Sequence, residues 1–250
     1  MRYLSDKLNI DVTAEDFIAY VAGLVGHRGY TQTFVHYLNE PGIRLPVTAE
    51  KDMWTQAVKL GQEIVWLHTF GERFIDDNAG RPAGALALAE LSGIKVHSSI
   101  VSRLPGLPGS IAPSEIEGSS DLLNLIVGDG VVGPIKKEVW EYDVNGMRVV
   151  SHWFDSRRFS SLHKKNKEGL NATSFRSWTS QLTNELLVML SVLSGCVRLE
   201  PHQLTLLNQI CGGKLISASE LLQASVLPPP DWSLKGPSLR DLDIPVLPGM

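Results

Sequence analysis

Apolar residues recur at helical spacing through the N-terminal part of the chain. Thr13, with Asp16 three places on, forms a capping pattern, and Phe17, Tyr20, Val21 and Leu24 follow on one face. This pattern predicts a first helix that ends near Gly26. Residues 28–39 place Tyr30, Phe34 and Tyr37 or Leu38 on a shared face and stop at Pro41-Gly42, which predicts a second short helix and an αα-hairpin. Thr48 is a further N-cap candidate. It precedes a broad apolar stripe in which Trp54, Val58, Gly61 and Val65 alternate with Ala57, Leu60, Ile64 and Leu67. Gly61, at the centre of that stripe, would let a neighbouring helix approach closely. Residues 84–92 read as an Ala-rich helix, and the alternation in IKVHSSIV after it predicts a short strand.

Residues 102–120, SRLPGLPGSIAPSEIEGSS, are dense in Pro, Gly and Ser and mark a connection. DLLNLIVGDGVVGPI, at 121–135, reads as buried strand interrupted by Gly128, Gly130 and Gly133. A phosphate-binding glycine loop would need a following helix and a Gly-Lys-Ser/Thr ending, so these glycines read as turns or bulges. Asn145-Gly146 then predicts a two-residue hairpin turn, because both central positions of a type I′ turn need positive φ. That register sets Val144 against Met147, Tyr142 against Val149 and Trp140 against Ser151, with Asp143 facing Arg148 on the other side. One face, carrying Trp140, Tyr142, Val144, Met147 and Val149, would serve a core.

Further on, Trp178, Leu182, Leu186, Met189 and Val192 or Leu193 predict a helix ending at Gly195. Glu200-Pro201 would open another, with Leu204, Leu207 and Ile210 inward and Gly212-Gly213 closing it. Ser217 and Glu220 match a capping box for a short final helix. The pattern as a whole predicts an α+β fold: a helical lobe over 1–101, the connection 102–120, a small mainly antiparallel sheet with its hairpin and C-terminal helices packed back over 121–225, and a Pro-rich tail over 226–250. The lobes can equally be one continuous domain.

Composition alters this picture little, with 43% hydrophobic and 20% charged residues in a chain of 250. The sequence has no run of about 18 apolar residues, and MRYLSDKLNIDVTAEDF lacks the apolar centre of a signal peptide. A cytoplasmic protein without a membrane partner is expected. Cys196 and Cys211 lie in apolar helical contexts without CxxC spacing, which suggests two buried thiols. His27, His36 and His68 show no ligand spacing, so no metal is expected. Charge is the more selective quantity. Lys and Arg total 23 against 27 Asp and Glu, a net charge of −4, which counts against a nucleic-acid binder that acts by overall attraction. Any such role needs a local basic face.

One stretch qualifies. After Trp153 and Phe154 come Arg157, Arg158, Lys164, Lys165 and Lys167 with no acid until Glu168, and Arg176 flanks them. A cationic loop of this kind can approach a phosphate backbone, and a solvated surface loop reads the same way. Catalytic signatures are missing: the chain has no GxSxG elbow, no Walker A and no Asp- or Asn-Pro-Pro-Tyr/Trp motif. The acid pairs Asp76-Asp77 and Glu115/Glu117 sit among Gly, Asn, Ser or Pro and read as solvated. The expectation is a non-catalytic module with no cofactor.

Several segments taken in order carry a family resemblance. They are FIAYVAGLVGHRGYTQTFVHYL with PGIRLPVT, LGQEIVWLHTFGERF, VGDGVVGPIKKEVWEYDVNGMRVVSHWF, and WTSQLTNELLVMLSVLSGCVRLEPHQLTLLNQI. Together they resemble the C-terminal specificity domain of type ISP restriction-modification enzymes, single polypeptides that join nuclease, translocase, methyltransferase and target-recognition modules. The resemblance runs from about Thr13 to about Leu222. It implies a phage-defence role in which the domain reads a short asymmetric site in double-stranded DNA beside an adenine methyltransferase. Arg157 and Arg158 would then be candidates for base-edge or phosphate contacts, Lys164, Lys165 and Lys167 would hold the backbone, and Arg176 would flank them. Arg148 is a weaker candidate because Asp143 faces it. The alternative is a protein-interaction or regulatory module that keeps the fold without binding DNA.

Overall fold

The computed structural model describes residues 1–37, 43–97, 115–118, 121–127, 130–157 and 178–226, and in them one long helix serves two apolar cores. The chain opens with α1 (Arg2–Leu8) and α2 (Ala14–Val25). The capping box at α2 forms as its residues predict: Asp16 N–H donates to Thr13 Oγ1 and Thr13 N–H to Asp16 Oδ2, both at 3.0 Å. α3 (Arg28–Thr33) is shorter than the periodicity implies and gives way to a 3₁₀ turn over Val35–Tyr37. α4 (Lys51–His68) starts past Thr48. Thr48 instead lies in a β-bridge with Leu215, and its Oγ1 accepts from Glu50 N–H at 3.1 Å.

α2 and α4 cross at two glycines. A Cβ on Gly61 would stand 1.6 Å from the Ala19 carbonyl oxygen, and one on Gly23 would stand 2.6 Å from that of Ala57. The close approach expected at Gly61 is therefore real, and it makes room for the Tyr20–Trp54 stack, whose ring centroids are 4.2 Å apart. Tyr20 also fixes the strap before α4, donating to the Pro46 carbonyl at 2.7 Å and accepting from Thr48 N–H at 3.1 Å.

After α5 (Ala85–Leu91) come β1 (Lys95–Val96), β2 (Glu115–Gly118), β3 (Leu122–Val127) and β4 (Gly130–Lys136). They form a four-stranded sheet in the order β1-β4-β3-β2, antiparallel throughout. Its irregularity falls between Leu123 and Leu125, opposite Gly133, where a Cβ would lie 2.3 Å from Asn124 Oδ1. Gly133 thus marks a bulge, as the pattern suggested.

α6 (Lys137–Trp140) leads into β5 (Asp143–Val144) and β6 (Met147–Arg148), and α7 (Val149–Asp155) follows directly. Asn145 at φ 52° and Gly146 at φ 83° make the turn, in the register Asp143↔Arg148 and Val144↔Met147. The hairpin is real but shorter than expected, since Trp140 and Ser151 are helical. The cause is burial: Val150 and Phe154 are fully buried while His152 between them is exposed, a spacing that one helix face provides, whereas a strand would turn His152 to the core with them. Val144 and Met147 stay 47% and 44% exposed, which corrects the expectation that they serve the core.

A second correction concerns the C-terminal helices. No break occurs at Gly195, and α8 runs unbroken over Ser180–Gly212 for 33 residues, about 50 Å, through Pro201. Gly195 is a packing site, since a Cβ there would meet Leu67 Cδ2 of α4 at 2.6 Å. The N-terminal half of α8 packs Leu182, Leu186, Leu190 and Leu193 with the sheet, α6 and α7. Its C-terminal half packs Leu206, Leu207 and Ile210 with α1, α2 and α4. By length and composition α8 would suit a bilayer span, yet half of its apolar window is buried inside this fold. Burial raises the Cys196 thiol to about 12, whereas Cys211 is exposed, contrary to expectation. In α9 (Ala218–Gln223) Ser217 Oγ accepts from Glu220 N–H at 3.1 Å, but the Glu220 carboxylate does not complete a capping box. It accepts instead from Tyr3 Oη, at 2.9 Å, and from the Lys7 ammonium.

Candidate nucleic-acid interface

The α7–α8 junction is built from aromatic rings. Trp153 meets Phe154 edge-on at 5.0 Å and Trp178 at 6.2 Å, and Phe154 stacks on Trp178 at 6.4 Å. Trp178 Nε1–H donates to Thr183 Oγ1 at 2.7 Å, and Thr179 caps α8. The described residues thus end at Arg157 and resume at Trp178 beside the same cluster. Arg158, Lys164, Lys165, Lys167 and Arg176 fall between these points, outside the described residues.

Arg157, the remaining predicted contact, is already engaged. Its guanidinium lies over the Trp153 ring, 4.0 Å from the centroid, and its Nη1 donates to the Trp153 carbonyl at 3.1 Å. Its Nη2 donates to Glu185 Oε2 at 3.1 Å, while Gln181 Nε2 donates to the other carboxylate oxygen at 2.9 Å. Arg157 thus staples α7 to α8, and its charge is compensated. Arg148 is exposed on β6, and the Asp143 carboxylate facing it accepts from Gly146 N–H at 3.0 Å.

Arg157 and Trp153 also edge a cleft of about 1490 Å³, bounded by the α2–α3 junction, the end of α4, the start of α5, the hairpin and the outer face of α8. On its far side Arg28 makes a forked pair with Glu200, Nη2 to Oε2 at 2.7 Å and Nε to Oε1 at 3.2 Å, and lies over the Tyr142 ring at 5.6 Å. The bond to Glu200 raises the Arg28 pKa, and burial raises that of Tyr142. His27 is only 5% exposed, with both ring nitrogens shielded from solvent. Burial lowers its pKa, and Glu200 partly opposes that shift. His68 is an exposed residue at the cleft edge, with its Nε2 3.7 Å from Cys196 Sγ. The exposed amides of Gln32, Asn145, Gln181 and Asn184 complete the lining relevant here. Among the described residues no group of three or more His, Cys, Asp or Glu is disposed to hold a metal. The arrangement suits stacking and amide hydrogen bonding. Sequence reasoning missed Arg28, His27 and the amides because they come from segments far apart in the chain.

Fold and site together define an α+β module built around a single long helix. Residues 2–186 match the type ISP C-terminal specificity domain family, and the chain belongs to that family. The family resemblance read from the ordered segments is therefore correct. No curated protein matches. Among solved structures the chain is similar to DrdV in a complex with DNA, at 12% identity and a TM-score of 0.46, over 83% of this chain and 19% of that one. It is similar to a nuclease-deletion mutant of the type ISP restriction-modification enzyme LlaGI in complex with a DNA substrate mimic, at 17% identity and 0.38, over 80% and 14%. It is also similar to the ATP-dependent type ISP enzyme LlaBIII bound to DNA, at 16% identity and 0.42, over 86% and 12%. The chain spans less than a fifth of the length of each.

Proposed function

We propose that this chain is a DNA target-recognition module of a type ISP restriction-modification system. In this reading it recognises a short site in duplex DNA for methyltransferase, translocase and nuclease modules, performs no catalysis itself, and works in the cytoplasm. Family membership over residues 2–186 is the observation that carries the proposal. With a net charge of −4, attraction to phosphate must be local, and the run from Arg158 to Arg176 is the densest source of it. The aromatic cluster supports this assignment by holding both ends of the run at one place. Lys164, Lys165 and Lys167 serve the backbone, Arg176 flanks them, and Arg158 is the candidate base reader. Arg157 joins the contact only by leaving Glu185, so in the free chain it acts as a staple.

Salt-titrated binding to a random duplex library, with the bound pool sequenced, tests the proposal. Replacing Lys164, Lys165 and Lys167 with Ala is expected to weaken all sequences alike and to lower the log–log salt slope by roughly three. Arg158→Ala is expected to relax preference at one position, by about 1–3 kcal/mol of discrimination. An unchanged slope together with an unchanged preference would remove the site assignment. Absence of affinity at low salt, with a stable complex to a methyltransferase or nuclease, would favour the interaction-module alternative.

A further inference from the structure

The cleft on the outer face of α8 is poorly suited to a phosphate backbone. Both guanidiniums that line it are paired, Arg28 with Glu200 and Arg157 with Glu185, while Glu72 and Asp143 add negative charge. A phosphodiester placed there would meet carboxylates without a free cation from the described lining. A neutral ring would not.

Three further features specify such a ring. Trp153 and Tyr142 each carry a stacked guanidinium, and arginine planes and aromatic faces are the surfaces on which unstacked bases lie. Gln32 on α3, Asn145 in the hairpin turn, and Gln181 and Asn184 on α8 bring exposed amides from three segments, able to donate and accept along the edge of a base. At about 1490 Å³ the cleft exceeds the roughly 300–1,000 Å³ of small-molecule pockets and has room for a base with its sugar.

We infer that this cleft takes an unstacked nucleobase of a nucleic-acid strand, held between the Arg28–Tyr142 and Arg157–Trp153 pairs and read by the surrounding amides. The inference rests on the DNA-recognition reading for the source of the base. It adds a second contact, distinct from the basic run and insensitive to phosphate charge.

The test uses the full chain with a short mixed-sequence single strand carrying one 2-aminopurine, the matched duplex, and free adenosine and thymidine. The strand is expected to bind with a change in 2-aminopurine fluorescence, and the nucleosides are expected to compete. Val188→Trp, which fills the cleft from a half-buried position on α8, is expected to weaken strand binding about tenfold or more. Gln32→Ala with Asn184→Ala, both exposed and tolerable for folding, should weaken it several-fold. Parent-like strand binding by both variants, with native circular dichroism, overturns the base site. A parent that binds duplex but neither strand nor nucleoside also overturns it, and leaves the recognition reading standing. Saturable nucleoside binding without affinity for duplex or strand sinks the recognition reading and keeps the cleft as a base site.

Discussion

At the scale of single residues, stability is concentrated where side chains are absent or buried. Gly61 has no room for a methyl group, because the obstacle 1.6 Å away is backbone that cannot rotate aside. Gly61→Ala must therefore push α2 from α4 and disturb the Tyr20–Trp54 stack, and a loss of about 3 kcal/mol in urea unfolding is expected. Gly195→Ala meets only the end of the Leu67 side chain, which can turn, so a smaller loss is expected there. His27 makes a different contribution. Burial lowers its pKa below the ordinary 6.5, so the unfolded chain binds a proton that the folded chain refuses. Stability is then full above about pH 6.5 and falls as the pH drops from there toward the folded value. A melting temperature that declines from pH 7.5 to 5.5 is expected, with a smaller decline in a His27→Gln variant; equal declines would refute the assignment.

Elements were legible in the sequence wherever their signal is local. The Thr13–Asp16 box and the Asn145-Gly146 turn are set by residues within a few positions of one another, and both formed as expected. α8 was not legible, because Gly195 and Pro201 are local break signals overruled from a distance. Leu67 fills the space that Gly195 vacates, and burial on both sides of Pro201 outweighs one missing hydrogen bond. Pro201→Ala is accordingly expected to stabilise the protein by about 1–3 kcal/mol, and a destabilising result would show that the helix depends on the proline. Arg157 gives the same lesson for the site. Its charge was visible, but its partner Glu185 lies on another element, and the cleft amides are drawn from three segments. Because Arg157 and Glu185 are both partly exposed, their pair adds at most about 1 kcal/mol, with a similar share from the Trp153 face. Arg157→Ala should cost about 1–2 kcal/mol in the absence of DNA. No change in stability would mean that the residue is free for recognition after all.

For the whole molecule, the question is whether two apolar cores make two folding units. A chain of 250 residues is large enough for the parts to unfold separately. The connectivity argues otherwise: α4 and α8 each contribute buried side chains to both cores, and Leu60 packs against both. Neither core can lose its share of α8 without ending a helix inside the other. β1, which follows the helical segments, is paired with β4, tying the sheet to the N-terminal half as well. Trp54 reports on one core and Trp178 on the other, so fluorine-labelled tryptophan followed through a urea titration distinguishes the cases. Coincident midpoints are expected, and Gly61→Ala, whose clash lies beside the Trp54 core, should lower both equally. Separate midpoints, or a shift confined to Trp54, would instead show that α8 joins two independent bodies and that the α7–α8 junction can open without the helical half.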